Sequence, residues 1–154
     1  MITVNYLGEK RQFQLLYKFS FTSFRRKMTT IFRDIKQEKI IVFIKGADDA
    51  IKRSINAANQ FSFQRTMRHV EDFAEKGLRT MLCCYKILDY EKFIQWEENY
   101  LKSLENKDKK EYDAENIIFE IEKDMEMLGA TGIEDQLKDD VIRIIFFICV
   151  LFDF

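Results

Sequence analysis

The first patterned stretch of the chain alternates between apolar and polar side chains over residues 13–21. A two-residue period places successive side chains on opposite faces of a strand, so we predict a half-buried β-strand here. Residues 28–33 predict a second strand and residues 39–44, with a run of Ile and Val, a third, and the short polar connection between them predicts an antiparallel hairpin. The apolar members of the first strand are Phe13, Leu15, Tyr17, Phe19 and Phe21.

Helical periodicity begins after the third predicted strand. Asp48 can cap a helix that runs to about residue 58, because an aspartate side chain accepts from the free N–H groups of a first turn. A second helix has one apolar face and ends at Gly77, a residue that favours the left-handed conformation found after helices. The members of that face are Met67, Val70, Phe73, Ala74 and Leu78.

Strands and helices continue to alternate in the second half of the chain. We predict a strand over 79–88, a helix capped by Asp89, a charged loop over 106–111, a helix over 114–128 and a short strand at 127–133. Taken together, the pattern predicts an α+β fold, with an antiparallel sheet flanked by helices.

Length and composition are those of one folded domain. The 154 residues are 47% hydrophobic and include 15 Phe, so the chain has enough apolar surface to fold. Its three cysteines, two of them adjacent, give neither a disulfide framework nor a zinc spacing, which predicts reduced thiols facing the cytosol.

Charge is balanced overall but uneven along the chain. The net charge is −1, which excludes a globally basic nucleic-acid binder, and we predict no nucleic-acid partner. Residues 9–53 hold 12 basic and 5 acidic side chains, whereas residues 89–126 hold 6 basic and 13 acidic ones. This split predicts a basic face for an anion, and ordinary surface charge is the alternative.

No stretch is long and apolar enough to span a bilayer. The nearest run covers residues 141–152, is interrupted by Arg143, and is shorter than the roughly 18 apolar residues required. The polar N-terminal residues also predict no signal peptide. We therefore expect the chain itself to be soluble.

Most patterns of catalytic chemistry are missing. His69, the single histidine, has no nucleophile or metal-ligand spacing around it, and no glycine-rich phosphate loop occurs. The carboxylate pairs at 48–49 and 139–140 are adjacent residues, whose side chains point apart. We predict no catalytic and no metal-binding residues.

Two stretches could bind an anionic, aromatic ligand. Phe21 is followed by the cations Arg25 and Arg26, and an exposed aromatic beside cations can stack a base while the cations neutralise phosphate. Lys45 and Gly46 end a strand just before a predicted helix, where glycine permits close approach of backbone or ligand. The alternatives are a core phenylalanine, a solvated basic turn and an ordinary strand end.

Four passages, taken in order, resemble the nucleotide-binding (N) domain of P-type ATPases. They cover residues 19–34, 41–51, 69–81 and 120–137, and include the motifs KGAD, DFAEKGLRT and LGATGIED. The last two are most similar to the P4 class, the phospholipid flippases. The resemblance implies an α+β N-domain fold and ATP as the ligand.

The resemblance also implies a set of nucleotide-binding residues. Phe21 matches the aromatic on which adenine stacks, Lys45 the lysine of the adenine and phosphate pocket, and Arg79 an arginine that contacts phosphates. Phe24 stands where the family usually has a polar residue, and the basic cluster reads Arg-Arg-Lys where Arg-Lys-Arg is usual. The full set is Phe21, Arg25, Arg26, Lys45, Gly46, Arg79 and Thr80.

The resemblance ends before the C-terminus. We expect residues 1–138 to form a partial N domain that includes a return hinge near 129–138, containing Asp135, and residues 139–154 to be a divergent apolar tail. The family's DKTGT, TGD and GDGxND segments and its actuator TGE are absent from the sequence. We therefore expect the chain alone to bind nucleotide without catalysing phosphoryl transfer.

Three hypotheses follow from these observations. The first is the ATP-binding domain of a phospholipid-transporting P-type ATPase, on the cytosolic face of a membrane. Its parent enzyme would bind Mg²⁺ outside this chain, act on phospholipid and associate with an accessory β-subunit. The alternatives are a stand-alone, non-catalytic nucleotide-binding or regulatory module, and a nonfunctional truncated fragment.

Overall fold

The computed structural model describes residues 1–6, 8–105 and 110–134. Six antiparallel strands form one sheet in chain order. They are β1 (Ile2–Tyr6), β2 (Glu9–Phe19), β3 (Lys27–Asp34), β4 (Lys39–Gly46), β5 (Arg79–Leu88) and β6 (Glu126–Ile133). The helices are α1 (Asp48–Lys52), a short 3₁₀ helix (Ala57–Asn59), α2 (Gln60–Glu75), α3 (Tyr90–Glu105) and α4 (Lys110–Ile121). The α+β prediction is therefore confirmed.

The N-terminal hairpin differs from the sequence prediction. Strand β1 was not predicted, because residues 2–5 are exposed and the strand pairs along only one edge, with β2. Strand β2 ends at Phe19, so the predicted extension to Phe21 is wrong. A register shift between Leu15 and Tyr17 interrupts its alternation, because a bulge adds one residue to a strand and breaks the two-residue period.

This bulge divides the apolar row of β2 between two environments. Phe13 contacts Phe32, with ring centroids 6.5 Å apart. Tyr17 instead contacts Trp96 of α3, with ring centroids 5.5 Å apart. The predicted single apolar face is thus divided at the bulge. Only the residues after it, beginning with Tyr17, pack against the helices.

The helices cover one face of the sheet. Helices α1 and α2 pack on β5, α2 also on β6, and α3 packs on β4 and on α4. We call the opposite side the outer face, where Phe43 is 37% exposed. The inner face holds the core side chains of the sheet, which include Ile31, Ile40, Val42, Ile44, Leu82 and Cys84.

The first predicted helix is much shorter than expected. Helix α1 ends at Lys52 and not near residue 58, and Ala47 stands at its N-cap in place of Asp48. The backbone of Ser54 accepts a hydrogen bond from Met125 N–H at 2.8 Å, and Ile55 forms an isolated parallel bridge with Met125. This pairing diverts the chain from the helix because it satisfies backbone groups outside it.

The last predicted helix is shifted toward the N-terminus. Helix α4 begins at Lys110, inside the predicted loop 106–111, and ends at Ile121 rather than at residue 128. Asp124 then adopts a φ of 58°, a left-handed conformation that ends a helix and turns the chain into β6. The ending of α2 before Gly77, which has a φ of 71°, is confirmed.

Among the described residues, no helix has the length and apolar character needed to cross a membrane. The expected tail at 139–154 and Asp135 of the expected hinge lie outside the described residues. The division of the chain at residue 138 therefore stays a prediction.

Candidate functional site

The antiparallel topology gathers every predicted site residue at one end of the sheet. Strands β2 and β4 end where β3 and β5 begin, because neighbouring strands run in opposite directions. The loop between β2 and β3 carries three site residues, the last two positions of β4 carry two, and the first two of β5 carry two. In that order they are Phe21, Arg25 and Arg26, then Lys45 and Gly46, then Arg79 and Thr80.

Lys45 is the centre of a row of side chains across the outer face. It pairs with Met28 of β3 on one side and with Cys83 of β5 on the other. Beside this row lies a cavity of about 250 Å³. Its lining is mostly apolar and sulfur-containing: Met28, Thr30, Phe43, Ile44, Lys45, Cys83, Cys84 and Leu128. We call it the Lys45 cavity.

Both thiols at this cavity are protonated at neutral pH. Burial raises the pKa of Cys83, and the positive charge of Lys45 only partly offsets this rise. Burial likewise raises the pKa of Cys84, to about 12. The cavity therefore contributes one cation and no thiolate, an arrangement that favours an anionic ligand with an apolar part.

Phe21 is exposed at the same end of the sheet. Its side chain is 58% exposed, which excludes the core alternative, whereas Phe19 two residues earlier is 9% exposed. The end of β2 at Phe19 accounts for this difference, because Phe21 lies in the loop beyond the packed strand. An exposed ring at this position can stack a base.

Gly46 is required by the backbone beside it. A Cβ atom at this position would lie 2.6 Å from the carbonyl oxygen of Arg26 and 2.6 Å from the Cβ of Lys27. Strands β3 and β4 pair at this point, and Ala47 N–H donates to the Arg26 carbonyl at 3.0 Å. The sequence suggested that Gly46 allows close approach of either backbone or ligand. In the structure it is the backbone of the neighbouring strand that lies close.

The two arginines of the basic cluster are both in ion pairs. Arg25 is 10% exposed at its side chain and is paired with the buried carboxylate of Glu122. Arg26 Nη1 lies 2.9 Å from Asp49 Oδ2, in a pair that is about half exposed on both sides. Arg25 is therefore an internal group of the loop, whereas Arg26 is at the surface.

Arg79 and Thr80 lie at the start of β5. Arg79 is four residues from Cys83, and at about 3.3 Å per residue it is roughly 13 Å along the same face from the Lys45 row. Arg79 is exposed and Thr80 is half-buried opposite Gly132. Successive side chains of a strand alternate between faces, so Thr80 lies on the opposite face from Lys45. Only Arg79 of this pair shares the outer face with Lys45.

A second cavity, of about 430 Å³, lies on the other side of the β2–β3 loop. Its lining mixes four cations with three carboxylates, and its two rings are those of Phe24 and Phe119. The charged groups are Arg25, Arg26, Lys27, Arg53, Asp49, Glu115 and Glu122. Three of its four cations are already paired with its own carboxylates, so this cavity favours an anion less than the Lys45 cavity does.

The family model for the P-type ATPase cytoplasmic domain N matches residues 1–140 of the chain. The chain belongs to this family. Its meandering antiparallel sheet with helices on one face is the corresponding fold.

Curated relatives of this N domain are phospholipid-transporting ATPases. The chain is 36% identical over 140 residues to phospholipid-transporting ATPase ID of Homo sapiens, covering 91% of the chain and 12% of that protein. It is 38% identical over 138 residues to phospholipid-transporting ATPase DRS2 of Saccharomyces cerevisiae, covering 87% of the chain and 10% of that protein. The N domain thus spans about a tenth of the length of these relatives.

Sequence reasoning missed several residues of this N-domain site. Met28 and Cys83 join Lys45 through strand register, and counting back from the predicted hairpin turn could have paired Met28 with Lys45. Leu128 and Glu122 gave no local signal, because the final helix was predicted to continue through both. Within the described ranges, no group of three or more His, Cys, Asp or Glu is placed to hold a metal ion.

Proposed function

We propose that this N domain binds ATP on the outer face, with the adenine between Phe21 and the Lys45 cavity and the phosphates directed toward Arg79. One observation carries the proposal: Lys45 is the cation in the lining of an apolar cavity, at the same sheet end as the exposed ring of Phe21. A base needs an apolar surface and a stacking partner, whereas phosphates need cations. The row from Lys45 to Arg79 supplies both along one face.

In the whole enzyme this domain would present the γ-phosphate to an aspartate of a separate domain. We infer that the enzyme is a phospholipid-transporting P-type ATPase, in which formation and breakdown of the aspartyl phosphate drive phospholipid movement across a membrane. The N domain contributes position and charge neutralisation, which dominate catalysis of phosphoryl transfer. Mg²⁺ would bind outside this chain, and an accessory β-subunit would bind elsewhere on the enzyme.

Replacing Lys45 by glutamine is expected to weaken ATP binding without affecting folding. A lost charge-assisted hydrogen bond to the nucleotide costs about 1.5–3 kcal/mol, which is roughly a 12- to 150-fold rise in Kd. Lys45 is exposed near the C-terminal end of β4, so the melting temperature should stay nearly constant. Titration calorimetry with ATP and thermal melting by circular dichroism measure the two quantities.

Lys39→Gln is the matched control for this experiment. Lys39 is also exposed, lies on the same strand, and shares the outer-face alternation with Lys45, but it is at the opposite end of β4. ATP affinity should be unchanged in Lys39→Gln. Equal losses of affinity in both variants would indicate nonspecific attraction of the nucleotide to a basic surface and would contradict the proposed site.

A further inference from the structure

A buried carboxylate lies beside the loop that presents Phe21. Glu122 follows directly after α4, and its side chain is 1% exposed. One of its oxygens, Oε2, accepts a hydrogen bond from Lys27 Nζ at 2.7 Å. The other, Oε1, accepts from the Arg25 guanidinium and from the Thr29 hydroxyl. Three side chains from the loop and the start of β3 thus share one carboxylate.

The two cations of this cluster are almost as buried as the carboxylate. The side chain of Arg25 is 10% exposed and that of Lys27 is 7% exposed. Because an unpaired buried charge is costly, both cations stay paired with Glu122, and its position fixes theirs. Lys27 Nζ also donates to Ser54 Oγ at 3.1 Å, which extends the cluster to the segment after α1.

The backbone of the loop closes immediately after Phe21. Arg25 N–H donates to Thr22 Oγ1 at 3.1 Å, and Arg26 N–H donates to the Thr22 carbonyl at 2.8 Å. Arg26 adopts a φ of 53°, a left-handed conformation that is uncommon for a residue with a side chain. The fixed positions of Arg25 and Lys27 on either side of Arg26 hold this turn in place.

We propose that Glu122 is a positioning residue for nucleotide binding. Through Arg25 and Lys27 it holds the 22–27 turn, and this turn orients the ring of Phe21, which is exposed at the same end of the sheet as the Lys45 cavity. In this arrangement Arg25 connects Glu122 to the turn and does not contact phosphate. This proposal rests on the proposed function, because it requires ATP to stack on Phe21.

A double-mutant cycle between Glu122→Gln and Phe21→Ala tests the proposal on the full chain. In the wild-type background, Phe21→Ala should raise the Kd for ATP about fivefold or more, as loss of a base-stacking ring does. In the Glu122→Gln background, the same replacement should raise the Kd less than about twofold, because a displaced ring no longer stacks on the base and its removal costs little affinity. Titration calorimetry gives the four dissociation constants.

Asp34→Asn is the matched control for Glu122→Gln. Asp34 is also a fully buried carboxylate paired with an arginine, Arg11, but it lies at the other end of β3. Its replacement should cost stability and leave the full effect of Phe21→Ala on ATP binding. If the effects of Glu122→Gln and Phe21→Ala simply multiply, as those of Asp34→Asn should, Glu122 has only a structural role.

Arg25→Gln keeps the test decisive if Glu122→Gln does not fold. It leaves Lys27 and Glu122 as a balanced pair, so the cluster keeps no excess charge. Its effect on ATP affinity should also be less than multiplicative with that of Phe21→Ala. Effects that multiply would mean that Arg25 does not position the Phe21 ring, which would overturn the assignment.

A measurement without nucleotide separates this proposal from the proposed function. Nitrogen-15 order parameters of the 22–27 amides report the loop directly. They should fall in Arg25→Gln and in Glu122→Gln, and they should be unchanged in Asp34→Asn. Unchanged order in all variants would overturn the positioning role, whereas reduced order with no effect of Phe21→Ala on ATP binding would overturn the stacking site.

Discussion

Replacing Phe19 by alanine is expected to lower the free energy of unfolding by about 3–5 kcal/mol, the usual cost of truncating a buried phenylalanine. Phe19 is 9% exposed, and its ring centroid lies 5.6 Å from that of Tyr100 and 6.3 Å from that of Trp96. The Arg25 guanidinium lies 5.7 Å from the same ring. Truncation therefore removes contacts with two helical rings and one cation at once.

Urea denaturation of Phe19→Ala and Phe61→Ala measures this difference. Phe61 is also a phenylalanine of a regular element, α2, but its side chain is 76% exposed. Its truncation should change the free energy of unfolding by no more than about 0.5 kcal/mol. Similar small losses in both variants would show that the aromatic cluster of Phe19 is not part of the core.

Replacing Phe21 by alanine is expected to have the opposite effect. Loss of a base-stacking ring costs about 1–3 kcal/mol, which is a rise of roughly 5- to 150-fold in the Kd for ATP. The free energy of unfolding should change little, because the ring is 58% exposed and takes part in none of the ring contacts seen in the described part of the chain. ATP calorimetry and urea denaturation on one variant give both quantities.

Phe24→Ala is the control for Phe21→Ala. Phe24 is in the same loop and is 81% exposed, but it lines the second cavity and not the Lys45 cavity. Its truncation should leave ATP affinity unchanged. A larger loss of affinity in Phe24→Ala than in Phe21→Ala would indicate that the base binds in the second cavity, and would contradict the proposed site.

The different effects expected at Phe19 and Phe21 show how far the sequence could lead. Alternation predicted the strand, but it placed both rings on one face, and stacking for Phe21 was favoured by the basic cluster that follows it and mostly by family resemblance. The end of the strand at Phe19 depends on its pairing with Thr29 of β3. Pairing is a tertiary property, so local periodicity does not contain it.

Elements with strong local signals were predicted well and those set by distant contacts were not. Strand β5 was predicted with both its ends, because it lies between Gly77, which ends a helix, and Asp89, the predicted cap of the next helix. The end of α1 was wrong, because it depends on Ser54 and Met125, which are far apart in the sequence.

The candidate site shows the same limit. Strand ends and motifs predicted that Lys45 and Arg79 would lie at one end of the sheet, and the strand order places both there. The internal pairing of Arg25 was not predicted, because its partner Glu122 is 97 residues away.

Nuclear magnetic resonance of the whole chain during titration with ATP tests the central claim most directly. Backbone amide shifts map the ligand without any substitution, and the two cavities share no lining residue. ATP bound on the outer face should shift the amides of Phe21, Lys45 and Cys83. Shifts confined to Arg53, Asn116 and Phe119, which line the second cavity, would contradict the account.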